Sequence, residues 1–213
     1  MIKRILILAV LALAIWVGVD LFGPAHSNLR EFDPNAIGHL EMEMWRSYYS
    51  ADRVTLFRQL AETMRTQYGM PYARSNKVAF DAALAAFKFK EGKSRADYEK
   101  ALPALVRFYK AVRDMGDIAF DADRAARLEL EWWIIHRQRK TMPPGALTKS
   151  LADLQAEVFQ IPVEKVMEHA RLRAEAMTIR DDKAEAKTLG EDDWQKIDEL
   201  LKASWGSLTK AVH

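Results

Sequence analysis

The stretch DADRAARLELEWWIIHRQ, residues 121–138, decides the fold class. Asp121 is a good N-cap, and no glycine or proline interrupts residues 122–138 behind it. At 100° per residue, Arg124, Arg127, Glu131 and Gln138 fall on one narrow wedge. The rest of the circumference carries Ala125, Ala126, Leu128, Leu130, Trp132, Trp133, Ile134 and Ile135. A helix this apolar is central to a helical protein. Met142-Pro143-Pro144-Gly145 ends it, so it runs to about Lys140.

The same period extends in both directions. Asp33-Pro34 opens a helix to about Tyr49. Ser50 or Ala51 starts the next, with Phe57, Leu60, Ala61, Met64 and Tyr68 on one stripe. From Pro71 to Lys90, Val78, Ala82, Ala85 and Phe89 share a face, and Asp81 and Lys88 share the only polar one. Ser94 caps a further helix, which Pro103 should kink or break. Shorter signals mark Thr148–Phe159, Pro162 to about Asp181, and Glu191–Val212, the last with Trp194, Ile197, Leu201, Trp205 and Leu208 in register. Gly69, Gly92, Gly116, Gly145 and Gly190 fall between these segments, where helix ends favour a left-handed residue. No segment alternates as a strand would, and no repeat is present. The expected fold is all-α, an irregular bundle of about seven or eight helices behind an N-terminal membrane helix. Residues 24–213 form one domain with a possible minor boundary at 142–147.

Lys3 and Arg4 precede an unbroken apolar run, Ile5–Val19, closed by Asp20, Leu21, Phe22 and Gly23-Pro24. As a helix, residues 5–22 span roughly 27 Å, enough for a thin hydrocarbon core. Residues 1–23 therefore read as a membrane anchor or as a signal peptide cleaved near Gly23-Pro24-Ala25. The weak cleavage site and the interface-type residues Trp16 and Asp20 favour an anchor contacting lipid through residues 5–22. The two cations would keep the N-terminus cytoplasmic and put the domain outside. That placement is the periplasmic side of a bacterial inner membrane. Cleavage would instead give a secreted protein.

Composition excludes several chemistries. The 213 residues are 49% hydrophobic and 29% charged, with a net charge of +2, as in an ordinary folded domain. Interleaved charges give no basic stripe for nucleic acid. The absence of cysteine removes disulfides, thiolate catalysis and Cys-ligated metals. Phosphate loops, Gly-x-Ser-x-Gly, His-Glu-x-x-His and EF-hand patterns are missing. No cofactor is expected.

Three polar residues break the apolar pattern. Glu41 sits amid the stripe Ile37, Leu40, Met44, Trp45 and Tyr48, while His39, Glu43 and Arg46 lie opposite. Glu129 and His136 lie inside the broad apolar region of the central helix. An unpaired buried carboxylate costs several kcal/mol, so partners are required. Tyr48, Tyr49, Tyr109 and Arg137 are candidates. Two explanations stand side by side: a polar network that fixes helix register, or an interior metal or ligand site. The di-iron pattern is ruled out, since no Glu-x-x-His occurs. Glu129 and His136 are ~10.5 Å apart along the axis and cannot chelate one ion together. In the segment after Pro162, Val163, Val166, Ala170, Ala174 and Met177 form the main apolar face. Leu172 and Ile179 add a second strip opposite, which suggests contact on two sides.

Leu40-Glu41, Met44-Trp45-Arg46-Ser47-Tyr48-Tyr49, Ala125–Trp133 with His136-Arg137, Glu168–Glu175 and Asp192-Asp193-Trp194 carry a resemblance. They resemble segments of uncharacterised bacterial proteins of similar length with one N-terminal hydrophobic helix. The resemblance implies a bacterial origin and a shared helical domain, and no catalytic residue. The leading expectation is a membrane-tethered, extracytoplasmic interaction module or accessory subunit of a membrane complex, not an enzyme. The alternative is an enzyme or small-ligand or metal-binding bundle built around Glu41, Glu129 and His136.

Overall fold

The computed structural model describes residues 2–213, and they are all-α. Ten α-helices occur in this order: α1 Ile2–Phe22, α2 Pro34–Tyr49, α3 Arg53–Thr66, α4 Tyr72–Glu91, α5 Arg95–Glu99, α6 Leu102–Met115, α7 Ala122–Arg137, α8 Ala146–Phe159, α9 Val163–Glu185 and α10 Glu191–Val212. Nine stand behind α1, one more than the largest expected number. The extra one arises at Pro103, which lacks an N–H and cannot sit inside a helix. The chain turns at Lys100–Ala101, and α6 restarts with Pro103 in its first turn.

The caps explain the boundaries. Asp33 accepts from the N–H groups of Asn35 and Ala36, and Asp121 from those of Asp123 and Arg124. Asp52, not Ser50 or Ala51, caps α3; Ala51 has a left-handed φ of 61° and reverses the chain just before it. The glycine expectation is corrected. Gly69 and Gly145 alone among the five are left-handed, and Gly145 precedes a helix rather than ending one. Gly92, Gly116 and Gly190 are extended. Close approach, not φ, requires two glycines. A Cβ on Gly38 would lie 2.7 Å from the Lys202 backbone, so Gly38 lets α2 lie directly on α10. One on Gly116 would strike the Leu29 side chain at 2.5 Å.

The main helix contacts run α2–α3–α4–α6–α7–α8–α9–α10 and back to α2, closing a ring. Its core contains Ile37, Phe89, Leu105, Leu130, Leu151, Leu154, Val166, Trp205 and Leu208, with Leu29 entering from the segment before α2. Each such side chain contributes about 1.5–3 kcal/mol by burial. Met42, Ala176, Ile197 and Leu201 form a second cluster between α2, α9 and α10. Leu172 and Ile179 pack there, so α9 does contact neighbours on two sides. On α4 the polar face differs from expectation. Asp81 is buried and bonded by Arg107 and Lys77, while Phe80 faces out. α1 buries no residue and meets the bundle at α4 through its C-terminal end.

Candidate functional site

A polar cluster lies inside the ring. Glu41 of α2 is 4% exposed. Arg173 of α9 donates to its Oε1 from Nε at 2.7 Å and from a terminal nitrogen at 2.6 Å. Trp205 of α10 donates from Nε1 to the other oxygen at 2.7 Å. On α7, Glu129 accepts from the Tyr109 hydroxyl of α6 and from Trp133 Nε1, both at 2.9 Å. The Arg173 guanidinium lies over the Trp132 ring, 5.2 Å from its centroid. All four carboxylate oxygens are thus bonded, and the cluster draws on five helices.

The electrostatics lock these groups in their donating forms. Burial pushes the Arg173 guanidinium down, but the Glu41 and Glu129 carboxylates outweigh it and hold it above its ordinary value. Burial, reinforced by Glu129, keeps the Tyr109 phenol protonated. Burial and Glu41 do the same at Tyr68. A fixed cation and the fixed phenol of Tyr109 suit a clamp. None of them is poised to exchange a proton near neutral pH.

His136 belongs elsewhere. At the last turn of α7, its Nε2 lies 2.8 Å from Asp181 Oδ2 on α9. Arg180 reaches Oδ1 at 2.5 Å and Arg139 reaches Oδ2 at 3.2 Å. Burial pushes the Asp181 carboxyl up, but the hydrogen bond and charge of His136, then Arg180 and Arg139, hold it below the usual range. Arg139 and Lys140 continue to Glu185, which is half exposed. Glu41 thus pairs with the Arg173 guanidinium, whose charge is also felt by Glu129, and His136 joins a separate cluster at the rim.

The remaining candidates divide similarly. Tyr109 bonds Glu129. Tyr48 accepts from Lys90 through its carbonyl at 3.3 Å and faces the same ammonium with its ring. Arg137 donates to the carbonyls of Phe89 and Gly92, both at 3.0 Å, and stacks on Phe89 and Tyr98. Two surface hollows, of about 460 and 280 Å³, are lined by other residues: Leu128, Ile161 and Val163 among them in one, Met42, Arg46 and Trp194 in the other. Among the described residues, no three His, Asp or Glu side chains are grouped to hold a metal.

No protein-family model, curated protein or solved structure matches this chain.

Sequence reasoning missed the residues that organise both clusters. Arg173 and Arg180 lie on the same face of α9 as Val166, Ala170 and Met177, at steps of three and four. That spacing was the available signal. Local charge density in Glu168–Glu175 masked it. His169 is on this seam too and is fully buried. Its Nδ1 lies 3.0 Å from the Ser204 carbonyl, and the Ser204 hydroxyl donates to the His169 carbonyl at 2.8 Å. Burial, helped by the Arg173 charge, pushes the imidazole down to about 3 against the opposing Ser204 bond. The ring is therefore neutral at pH 7, and its other nitrogen has no hydrogen-bond partner. Its edge-on contact with Trp205, at 5.3 Å, ties it to the indole that bonds Glu41.

Proposed function

We propose that the protein is a membrane-tethered, extracytoplasmic helical interaction module, an accessory subunit of a bacterial inner-membrane complex. The observation that carries this reading is α1. It has 21 residues, an 18-residue stretch with a mean hydropathy of 2.7 and no buried position, so nothing in the bundle accounts for its apolar surface. Its length, about 31 Å, matches a hydrocarbon core. Lys3 and Arg4 at its start favour a cytoplasmic N-terminus. The resemblance to bacterial proteins with one N-terminal hydrophobic helix agrees with this. The fully bonded carboxylates around Arg173 support a scaffold rather than the alternative, a ligand site at Glu41, Glu129 and His136.

The test is purification of the full chain from washed membranes, with N-terminal sequencing, metal analysis and mass spectrometry of co-purifying proteins. The expected result is an intact chain in the membrane fraction with a partner in fixed ratio and no stoichiometric metal. A soluble chain starting beyond residue 23, or a membrane monomer with no partner, would contradict the proposal. A metal lost on Glu41→Gln or His136→Gln substitution would favour the alternative.

A further inference from the structure

α1 is apolar along its length, yet its last two turns are docked. The Asp20 carboxylate accepts from the Ala73 N–H in the first turn of α4. The residue before that turn, Pro71, offers no side-chain cap of its own, so α1 caps α4. Arg74 donates to the Gly23 carbonyl at 2.7 Å. The Trp16 and Tyr72 rings lie 6.4 Å apart.

The segment between α1 and α2 has no slack. The Ser27 N–H donates to the Met115 carbonyl at 2.8 Å. The Leu29 side chain is buried over Gly116, and its N–H donates to Asp117 at 3.0 Å. Arg30 pairs with Asp117 at 3.2 Å, and Phe32 meets Trp205 edge-on. A swinging tether needs a solvated linker, and this one is bonded or packed along its course.

We infer that the domain does not swing on its anchor: the α1–α4 corner seats it on the phospholipid interface in one orientation. This rests on reading α1 as a retained membrane helix. Trp16 then lies about 9 Å along the helix from Phe22, within the bilayer boundary, and Tyr72 is carried down beside it. Tyr72 is 56% exposed and Phe22 85%. Aromatic rings of this kind favour the headgroup level. The exposed Arg65 guanidinium lies 6.0 Å from the Tyr72 ring centroid and pairs with no carboxylate among the described residues. It is free to take a headgroup phosphate.

The chain has no native cysteine, so single labels can be placed cleanly. The full chain would be reconstituted into nanodiscs of phosphatidylcholine and phosphatidylglycerol. Spin labels would be attached at Tyr72→Cys, at Thr66→Cys, and at Lys165→Cys on α9, across the ring from α4. The Tyr72 and Thr66 labels should lose most of their collisions with a water-soluble nickel chelate and keep those with oxygen. The Lys165 label should stay open to the chelate. Asp20→Leu should return the Tyr72 label toward the Lys165 behaviour, and Asp20→Asn, which keeps an acceptor, should restore its protection. An inserted chain whose Tyr72 and Thr66 labels meet the chelate as freely as Lys165 would overturn the seat and leave the tether standing. A chain that does not enter the nanodisc would overturn both.

Discussion

Two polar clusters join α7 to α9, and they are built on opposite terms. Around Arg173, the Glu41 carboxylate is buried and that of Glu129 partly so, and indoles and a phenol occupy the oxygens that the guanidinium does not reach. Around Asp181, the partners are in excess: the His136 ring and the Arg180 and Arg139 guanidinium groups converge on one buried carboxylate, and the chain of charges runs out to Lys140 and Glu185 in solvent. The first cluster has a single cation and none to replace it. The second has two guanidinium groups on one carboxylate and solvent at its edge. The same kinds of residue should therefore be worth different amounts in the two places.

The largest effect should come from Arg173→Met, which leaves the buried Glu41 carboxylate without its cation. A loss of about 3–5 kcal/mol in denaturant unfolding of the full chain in detergent is expected; a loss like that of a surface substitution would equate the two clusters. Glu129→Ala should cost roughly 1–3 kcal/mol, because Tyr109 and Trp133 keep buried donors with nothing to bond. An unchanged denaturation midpoint would remove Glu129 from the clamp.

The two histidines sharpen the contrast through pH. His169 is neutral in the folded protein down to about 3, whereas an unfolded histidine takes its proton near 6.5. Between these values the unfolded state binds the extra proton. The His169 contribution is thus complete above pH 6.5 and is lost as the pH falls toward 3. From pH 6.5 to 4.5 the slope of stability should approach about 1.4 kcal/mol per pH unit, and His169→Gln should flatten it. Equal slopes in the two proteins would mean that the ring is not held neutral. His136→Gln should be the mildest change, about 1 kcal/mol or less, since Arg180 and Arg139 still neutralise Asp181. A cost matching that of Arg173→Met would contradict the difference between rim and interior.

The fold was legible because the long helices carry their own period, and α2, α3 and α7 their own cap. Asp33, Asp121 and the α10 stripe needed nothing beyond neighbouring residues. Pro103 marked the break between α5 and α6 in advance. Glu41 and Glu129 stood out for the same local reason, as acids set in apolar stripes, and Tyr109 was among the partners named for them. The cation was not visible. Glu41 and Arg173 are 132 positions apart, and no local pattern reports which distant helix closes a ring. Arg173 also sits among charged neighbours, so its place on the apolar seam was concealed. His136 was grouped with Glu129 because both face inward from α7. Two turns of helix carry it to the rim, where Asp181, itself 45 residues away, takes it up.

The central claim is that the interior carboxylates serve as a clamp rather than a site. A double-mutant cycle on Glu41→Gln and Arg173→Met, read by denaturant unfolding, tests it most directly. The clamp predicts strong coupling, with the double variant less destabilised than the sum of the single changes by about 2 kcal/mol or more. Costs that add to within about 0.5 kcal/mol would contradict it.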